Sequence, residues 1–318
     1  MKVLIVANNK PGHFSPFVTE QVKALRKLGV EFDFFGVGGK GVNGYLSNLS
    51  ALKQRIHEFQ PDLLHAHYGL SGMLANLQRT VPVVTTYHGS DIHSKGLNLF
   101  MSKITARYSA YNIFVSPWLL EVSGYHGENK CVIPCGVDTT TFTPIERVKA
   151  RKLLGWNENE QIILFAGAFD NEVKNSPLAK EAVSLVPNTK LVELRGYDRK
   201  IVNLLINVAN CLLMTSHREG SPVVIKEAMA CGTPIVSVDV GDVKDVLSGT
   251  EGCYISTYDA NDVAVIVRQA LSFKGKTDGP QRIMEKGLSN EIVANRILKI
   301  YQAVMEKSKR QNELLFSV

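Results

Sequence analysis

The densest chemistry in this chain lies in Thr215-Ser216-His217-Arg218-Glu219-Gly220-Ser221-Pro222-Val223-Val224-Ile225-Lys226-Glu227-Ala228-Met229-Ala230-Cys231-Gly232-Thr233-Pro234. The apolar run Cys211–Met214 precedes it, as a buried parallel strand would. Gly220-Ser221-Pro222 then opens a helix, with Pro222 expected at the first helical position. A helix start just past a strand's carboxyl end offers backbone N–H groups and a positive dipole end to an anion. Glu219 stands at the mouth of that turn, and Glu227 lies about 7 Å along the helix from Pro222. Carboxylates so close to a phosphate are repelled by it unless they answer other groups, and sugar hydroxyls are suitable donors. The spacing suits a central pyrophosphate with a sugar ring on either side. An ordinary strand–helix turn with two solvated glutamates fits the same residues.

Other polar clusters follow apolar runs in the same way. Asn8-Asn-Lys-Pro-Gly12-His13-Phe-Ser15 follows the first run. It lacks the GxGxxG spacing of dinucleotide sites, although Gly12 lets backbone approach a ligand. Gly36–Gly41 lacks Walker spacing and reads as a loop. His65-Ala-His67 points two rings to one face of a strand without a third metal ligand at recognisable spacing, which favours packing. His88-Gly-Ser-Asp91 includes the residue types of a hydrolase triad, but no G-x-S-x-G elbow accompanies it. His88 is better read as a hydrogen-bonding group at a strand end. In Gly167-Ala168-Phe-Asp170-Asn-Glu172-Val-Lys174-Asn175, Lys174 is a mobile cation able to neutralise phosphate.

The elements that must position these residues alternate from end to end. Strand-like runs at 2–8, 30–37, 62–68, 83–88, 112–116 and 130–135 are separated by helical patterns. A second series, at 161–167, 190–195, 211–215, 234–240 and 253–257, repeats the arrangement. This is an α/β pattern of two doubly wound, Rossmann-like domains whose strand ends face a central cleft. The expected boundaries are 1–143 for the first domain and 144–296 for the second. Residues 136–144 read as the linker, and a C-terminal helix at about 297–318 packs back onto the first domain. Leu314–Val318 reads as a frayed end.

The chain has 318 residues, 45% hydrophobic and 21% charged, with a formal net charge of +6 and five cysteines. That is enough for two ordinary domains, and cysteines that are few and odd in number suit a reducing cytoplasm. No apolar run reaches membrane-spanning length. The first 143 residues hold 13 basic and 9 acidic side chains, too sparse a charge for a nucleic-acid stripe. The mixed basic and apolar stretch 95–107 admits peripheral association with the inner face of a membrane, although inward packing of its apolar residues is the better expectation.

The Glu219-x7-Glu227 block resembles the signature of retaining GT-B glycosyltransferases of family four. Asp62–Gly69, Tyr87–Asp91, Val132–Asp138 with Phe142, and Val240–Leu247 are similar to further motifs of that family, so the resemblance covers most of the chain. It implies a nucleotide diphosphate sugar (UDP- or GDP-sugar) as donor substrate, a glycan or lipid-linked acceptor, and neither cofactor nor catalytic metal. Carried over by position, Glu227 would hold the ribose. Glu219 and the backbone of Gly220, Ser221 and Val223 would hold the sugar and distal phosphate. Lys174, beside Gly167, would meet the leaving-group charge. His88 would approach the donor sugar, while Gly12 and His13 would border the acceptor. The family usually places an Arg after the residue matching Gly167. Here it is Ala168, which leaves Arg195 or Arg218 to substitute.

The implied reaction is a same-face displacement with an oxocarbenium-like transition state, since no enzymic nucleophile is evident. Two rivals share the fold: a nucleotide-sugar epimerase or phosphorylase, and a catalytically weak partner subunit, the latter motivated by Ala168. A soluble sugar-binding regulator has no need of two glutamates astride an anion site.

Overall fold

The computed structural model describes residues 1–8, 13–39, 41–93 and 97–316. It forms two compact units, Met1–Cys135 with Asn290–Val318, and Gly136–Ser289. These divisions fall earlier than 143/144 and 296/297 for a packing reason. Val137 and Phe142 are buried in the core of the second unit. The Val137 amide also donates to the Leu288 carbonyl at 2.9 Å. The turn-rich stretch after Cys135 is therefore part of that unit.

The first unit holds a parallel sheet of six strands: β1 (Lys2–Asn8), β2 (Glu31–Val37), β3 (Leu63–His67), β4 (Val83–Tyr87), β5 (Tyr111–Phe114) and β6 (Lys130–Val132). Their order is β2-β1-β3-β4-β5-β6. Strands covered on both faces read as continuous apolar runs, and Val3–Val6 are wholly buried. The period of two assigns each residue its face. Val3, Ile5 and Ala7 pack with the helices Pro16–Arg26 and Asn290–Phe316. Leu4 and Val6 pack on the opposite side with Leu52, Leu74 and Ala75.

The C-terminal helix presents Val293, Ala294, Ile297, Ile300, Tyr301 and Val304 to that core, the i, i+3, i+4 stripe of an amphipathic helix. It continues through 314–316, where the sequence suggested a frayed end. The preceding helix, Gly279–Glu285, ends before Gly287, which has φ +65°.

The helix Leu97–Tyr108 meets the expectation of inward packing only in part, with Leu99 and Ala106 joining a core. Its inward face carries Ser102, Thr105 and Ala106, whereas Phe100 and Tyr108 are 58% and 70% exposed. The reason is close approach to the helix Gly69–Asn76. A Cβ on Gly69 would overlap Ser102, and one on Gly72 would lie 2.6 Å from Thr105, so only small side chains fit the interface.

The second unit holds β7 (Gln161–Phe165), β8 (Thr189–Glu193), β9 (Cys211–Met214), β10 (Ile235–Val238) and β11 (Cys253–Ser256). They form a parallel sheet in the order β11-β10-β9-β7-β8. Again alternate residues divide between two cores: Ile162 and Leu164 to one, Ile163 and Phe165 to the other.

In each sheet the strand order reverses once, between β1 and β3 and between β7 and β9. Loops leaving neighbouring strands in opposite directions open a crevice at such a point, where ligands of doubly wound sheets bind. The clusters after β1, β7 and β9 are among those singled out from the sequence, and the pair His65 and His67 lies on β3 itself.

The C-terminal helix is tied to the first sheet by a polar contact as well. Tyr301, fully buried, meets His65 Nδ1 at 2.5 Å, and His65 Nε2 meets Thr86 Oγ1 at 2.7 Å. Tyr301→Phe strands one buried ring nitrogen. It is expected to cost about 1–3 kcal/mol in urea unfolding, and an unchanged midpoint would show that water replaces the hydroxyl.

Candidate functional site

In the second unit, the loop after β7 brings Lys174 back toward β9. Asn171 caps a short 3-10 turn, Glu172–Lys174, by accepting from the Val173 amide. Asn175 follows in the left-handed conformation, φ 53°, which asparagine tolerates. The turn is anchored from β9: the Thr215 hydroxyl donates to the carbonyls of Lys174 and Asn175, and the His217 amide to that of Val173. Gly167 supplies the room. A Cβ there would sit 2.8 Å from Lys174 Cγ, so the lysine stem lies across a bare backbone.

That route delivers Lys174 Nζ to Glu219 Oε1 at 2.7 Å, with both side chains mostly buried. Two residues singled out separately, 45 positions apart, thus meet at the β7/β9 switch point. Beyond Glu219, Gly220 and Ser221 are buried and Val223 is half-buried. The helix runs Val223–Ala230 with Pro222 as its N-cap at ψ 118° and no capping side chain. Pro222 therefore stands one position outside the first helical residue. The reason is its extended ψ; as a cap it still withholds no needed N–H.

Glu227 is 4% exposed and pairs with Arg199 at 2.5 Å. Arg199 lies over the Phe142 ring, 4.6 Å from its centroid. Sequence reading missed Arg199, although its position at the start of the helix Arg199–Val208, after the β8 loop, was an available signal. Arg195 instead pairs with Asp170 at 2.8 Å, both side chains more than half exposed, and Arg218 is exposed.

Lys226 was also missed. It is fully buried, one turn into the same helix, donating to the Ser221 hydroxyl, with Asp242 Oδ2 3.5 Å from its Nζ. Asp242 accepts from Ser221 as well.

In the first unit, a cavity of about 510 Å³ opens at the β1/β3 switch point, lined by Asn8, His13, Tyr45, Tyr68, Ser90 and Asp91 among others. Gly12 lies outside the described residues. Asp91 is buried and accepts from the amides of Gly69 and Gly89 at 3.1 and 2.9 Å. Burial nevertheless pushes its carboxyl up to about 6.

His88 is engaged within its own unit. Its Nε2 meets His67 Nδ1 at 2.9 Å, and its Nδ1 lies 3.7 Å from Cys135 Sγ. The rings of His65, His67 and His88 stack in succession, at 4.5 and 5.2 Å between centroids. Among the described residues, no group of three His, Cys, Asp or Glu is arranged to hold a metal ion.

The two halves of the sequence match two models of one enzyme group: "Glycosyltransferase Family 4" over residues 3–141 and "Glycosyl transferases group 1" over residues 158–272. The chain belongs to the family-four, group 1 glycosyltransferases. Its two doubly wound sheets are the GT-B fold. The chain is 24% identical to a D-inositol 3-phosphate glycosyltransferase of Geodermatophilus obscurus, over 77% of this chain and 67% of that one. It is also 24% identical to the putative teichuronic acid biosynthesis glycosyltransferase TuaC of Bacillus subtilis, over 68% of this chain and 62% of the relative. The match thus spans less than two thirds of TuaC's length. Among solved structures, Anabaena HepE, crystallised in complex with UDP, superposes with a TM-score of 0.74 at 17% identity, covering 95% of this chain and all of that one.

The histidine stack makes the first unit sensitive to acid. Burial holds His67 down to about 3, and burial with neighbouring imidazoles holds His65 and His88 well below the usual value. The unfolded chain protonates these rings near 6.5, so stability present above that pH is lost as pH falls toward 3. Asp91 acts oppositely: with its carboxyl raised to about 6, its contribution is present below about 4 and is lost as pH rises through 6. Three rings outweigh one carboxyl. The thermal midpoint should fall between pH 6.5 and 5, less steeply in His67→Gln and more steeply in Asp91→Asn. Parallel slopes in all three proteins would refute the assignment.

Proposed function

We propose that the chain transfers a sugar from a nucleotide diphosphate sugar to a glycan or lipid-linked acceptor, with retained configuration and without a catalytic metal. The observation that carries this reading is the Lys174–Glu219 pair beside the start of the 223–230 helix, with Glu227 buried on that helix. A cation, a row of helix-end amides and two carboxylates stand together, as a sugar diphosphate requires.

In this reading the diphosphate draws Lys174 from Glu219. The lysine and the backbone N–H groups of Ser221 and 223–225 meet charge as it develops on the leaving phosphate, where preorganised donors act most strongly. Glu219, released, accepts hydrogen bonds from the transferring sugar. Glu227 accepts from the ribose hydroxyls, with Arg199 balancing its charge. This reading uses no side-chain nucleophile. The departing phosphate takes the acceptor proton as the new glycosidic bond forms on the same face. The acceptor occupies the first unit's cavity beside His13, and His88 contributes a neutral ring near it.

UDP-sugars are the first donors to try, since the structurally similar HepE was crystallised with UDP. The acceptor classes follow the inositol phosphate and teichuronic acid relatives. Peripheral membrane association would use the exposed Phe100 and Tyr108 with Lys103 and Arg107. No helix among the described residues is long and apolar enough to cross a membrane. The five cysteines form no disulfide among the described residues, which suits the cytoplasm.

Ala168 favours one second reading, a catalytically weak partner subunit, because Arg195 is already paired with Asp170. A screen of UDP-, GDP- and ADP-sugars reading nucleotide release separates the two. Lys174→Ala should lower kcat by roughly 10²-fold or more while weakening nucleoside diphosphate binding far less. Equal losses in both would count against a role in the transition state, and binding without any turnover in the parent would favour the weak subunit.

A further inference from the structure

The loop from Glu219 to Val223 is held from behind by groups that the reaction above does not use. We infer that Lys226 and Asp242 are positioning residues for this turn, acting through Ser221. The inference rests on the donor-site reading for its purpose, but not for its geometry.

Lys226 has no exposed surface and Asp242 is 4% exposed. Between them lies Ser221, itself buried. A serine hydroxyl has one proton and two lone pairs. Here it accepts from the Lys226 ammonium and gives its proton to Asp242 Oδ2. No proton is left for a ligand, so Ser221 can serve an anion only through its backbone N–H. The side chain's work is to fix where that N–H points.

A second contact supports the turn from the same segment. Gly241 has φ +62°, and a Cβ there would lie 2.8 Å from the Gly220 carbonyl oxygen and 3.0 Å from that of Glu219. The backbone before Asp242 is therefore pressed against the residues that carry the anion turn. Backbone contact and side-chain bridge together join the 219–223 turn, the first turn of the helix and the β10 loop.

A buried ion pair is a poor device for stability alone. The desolvation of two charges commonly exceeds their attraction, and apolar replacements of similar size are often neutral or stabilising. Asp242 is under that strain: burial raises its carboxyl above the ordinary value despite Lys226 and Ser221. Its Oδ1 has no hydrogen-bond partner among the described residues. What such a pair does supply is direction. It pins Ser221 at one place, so the amides of Ser221 and Val223 are aimed before an anion arrives and need no reorganisation when it does.

The test compares Lys226→Met, Asp242→Asn and the double variant in the full chain. Three properties are read: the thermal midpoint, hydrogen exchange of the 219–225 amides without ligand, and calorimetric binding of UDP and GDP. Lys226→Met alone leaves a buried carboxylate without its cation and should lower the midpoint most. Adding Asp242→Asn should bring the midpoint back near that of the parent. In that rescued protein the 219–225 amides should still exchange about tenfold faster, a change of about 1.4 kcal/mol in local opening, and nucleoside diphosphate affinity should fall by a similar factor. Parent-like exchange in the rescued double variant would overturn the inference whatever binding does. Faster exchange with unchanged affinity would overturn it as a device for the donor. If the parent binds neither nucleotide while exchange accelerates as expected, the donor reading fails and the clamp on the turn stands.

Discussion

Three poorly exposed carboxylates near the ligand-binding end of the second sheet are each answered by a cation. Glu219, Glu227 and Asp242 all lie where water reaches poorly, and they are met by Lys174, Arg199 and Lys226 respectively. An unanswered charge in such surroundings is destabilising enough that the chain must either pair it or neutralise it. This constraint shapes the local architecture. It accounts for the capped 3-10 turn that carries Lys174, for the bare backbone at Gly167 and for Arg199 lying over Phe142.

The pairs differ in what they allow. Lys174–Glu219 and Arg199–Glu227 each retain some exposure, so a polyhydroxylated, anionic ligand can exchange partners with them. Lys226–Asp242 is sealed. On the function proposed above, the first two serve recognition and the third holds a shape. Such a division is economical in a site that must be organised in its backbone and adjustable in its side chains.

The first unit solves a different problem. It buries three histidines in succession by keeping all of them neutral, stacking the rings and supplying Tyr301, Thr86 and Cys135 as neighbours. The C-terminal helix is part of this arrangement, since Tyr301 arrives from the far end of the chain. The His65-Ala-His67 pair, read from sequence against a metal site, is a packing feature whose second ring continues into His88.

Alternation of apolar runs with amphipathic stretches was enough to place eleven strands within a few residues and to make the sheets parallel, because a strand buried on both faces has no other pattern. The Gly-Ser turn, Lys174 and the two glutamates were legible for a related reason: chemistry follows a strand's carboxyl end in doubly wound sheets. The partners were not legible. Nothing in local spacing says that Arg199 answers Glu227 across 28 positions, that Lys226 turns back into the core rather than outward, or that Gly241 presses on Glu219. Nor could composition say that the helix 97–108 would bury its small polar face and expose Phe100 and Tyr108. Periodicity and turn chemistry act within a few residues and are carried by the sequence itself. Charge pairing and close backbone approach act through space, so only the folded chain decides them.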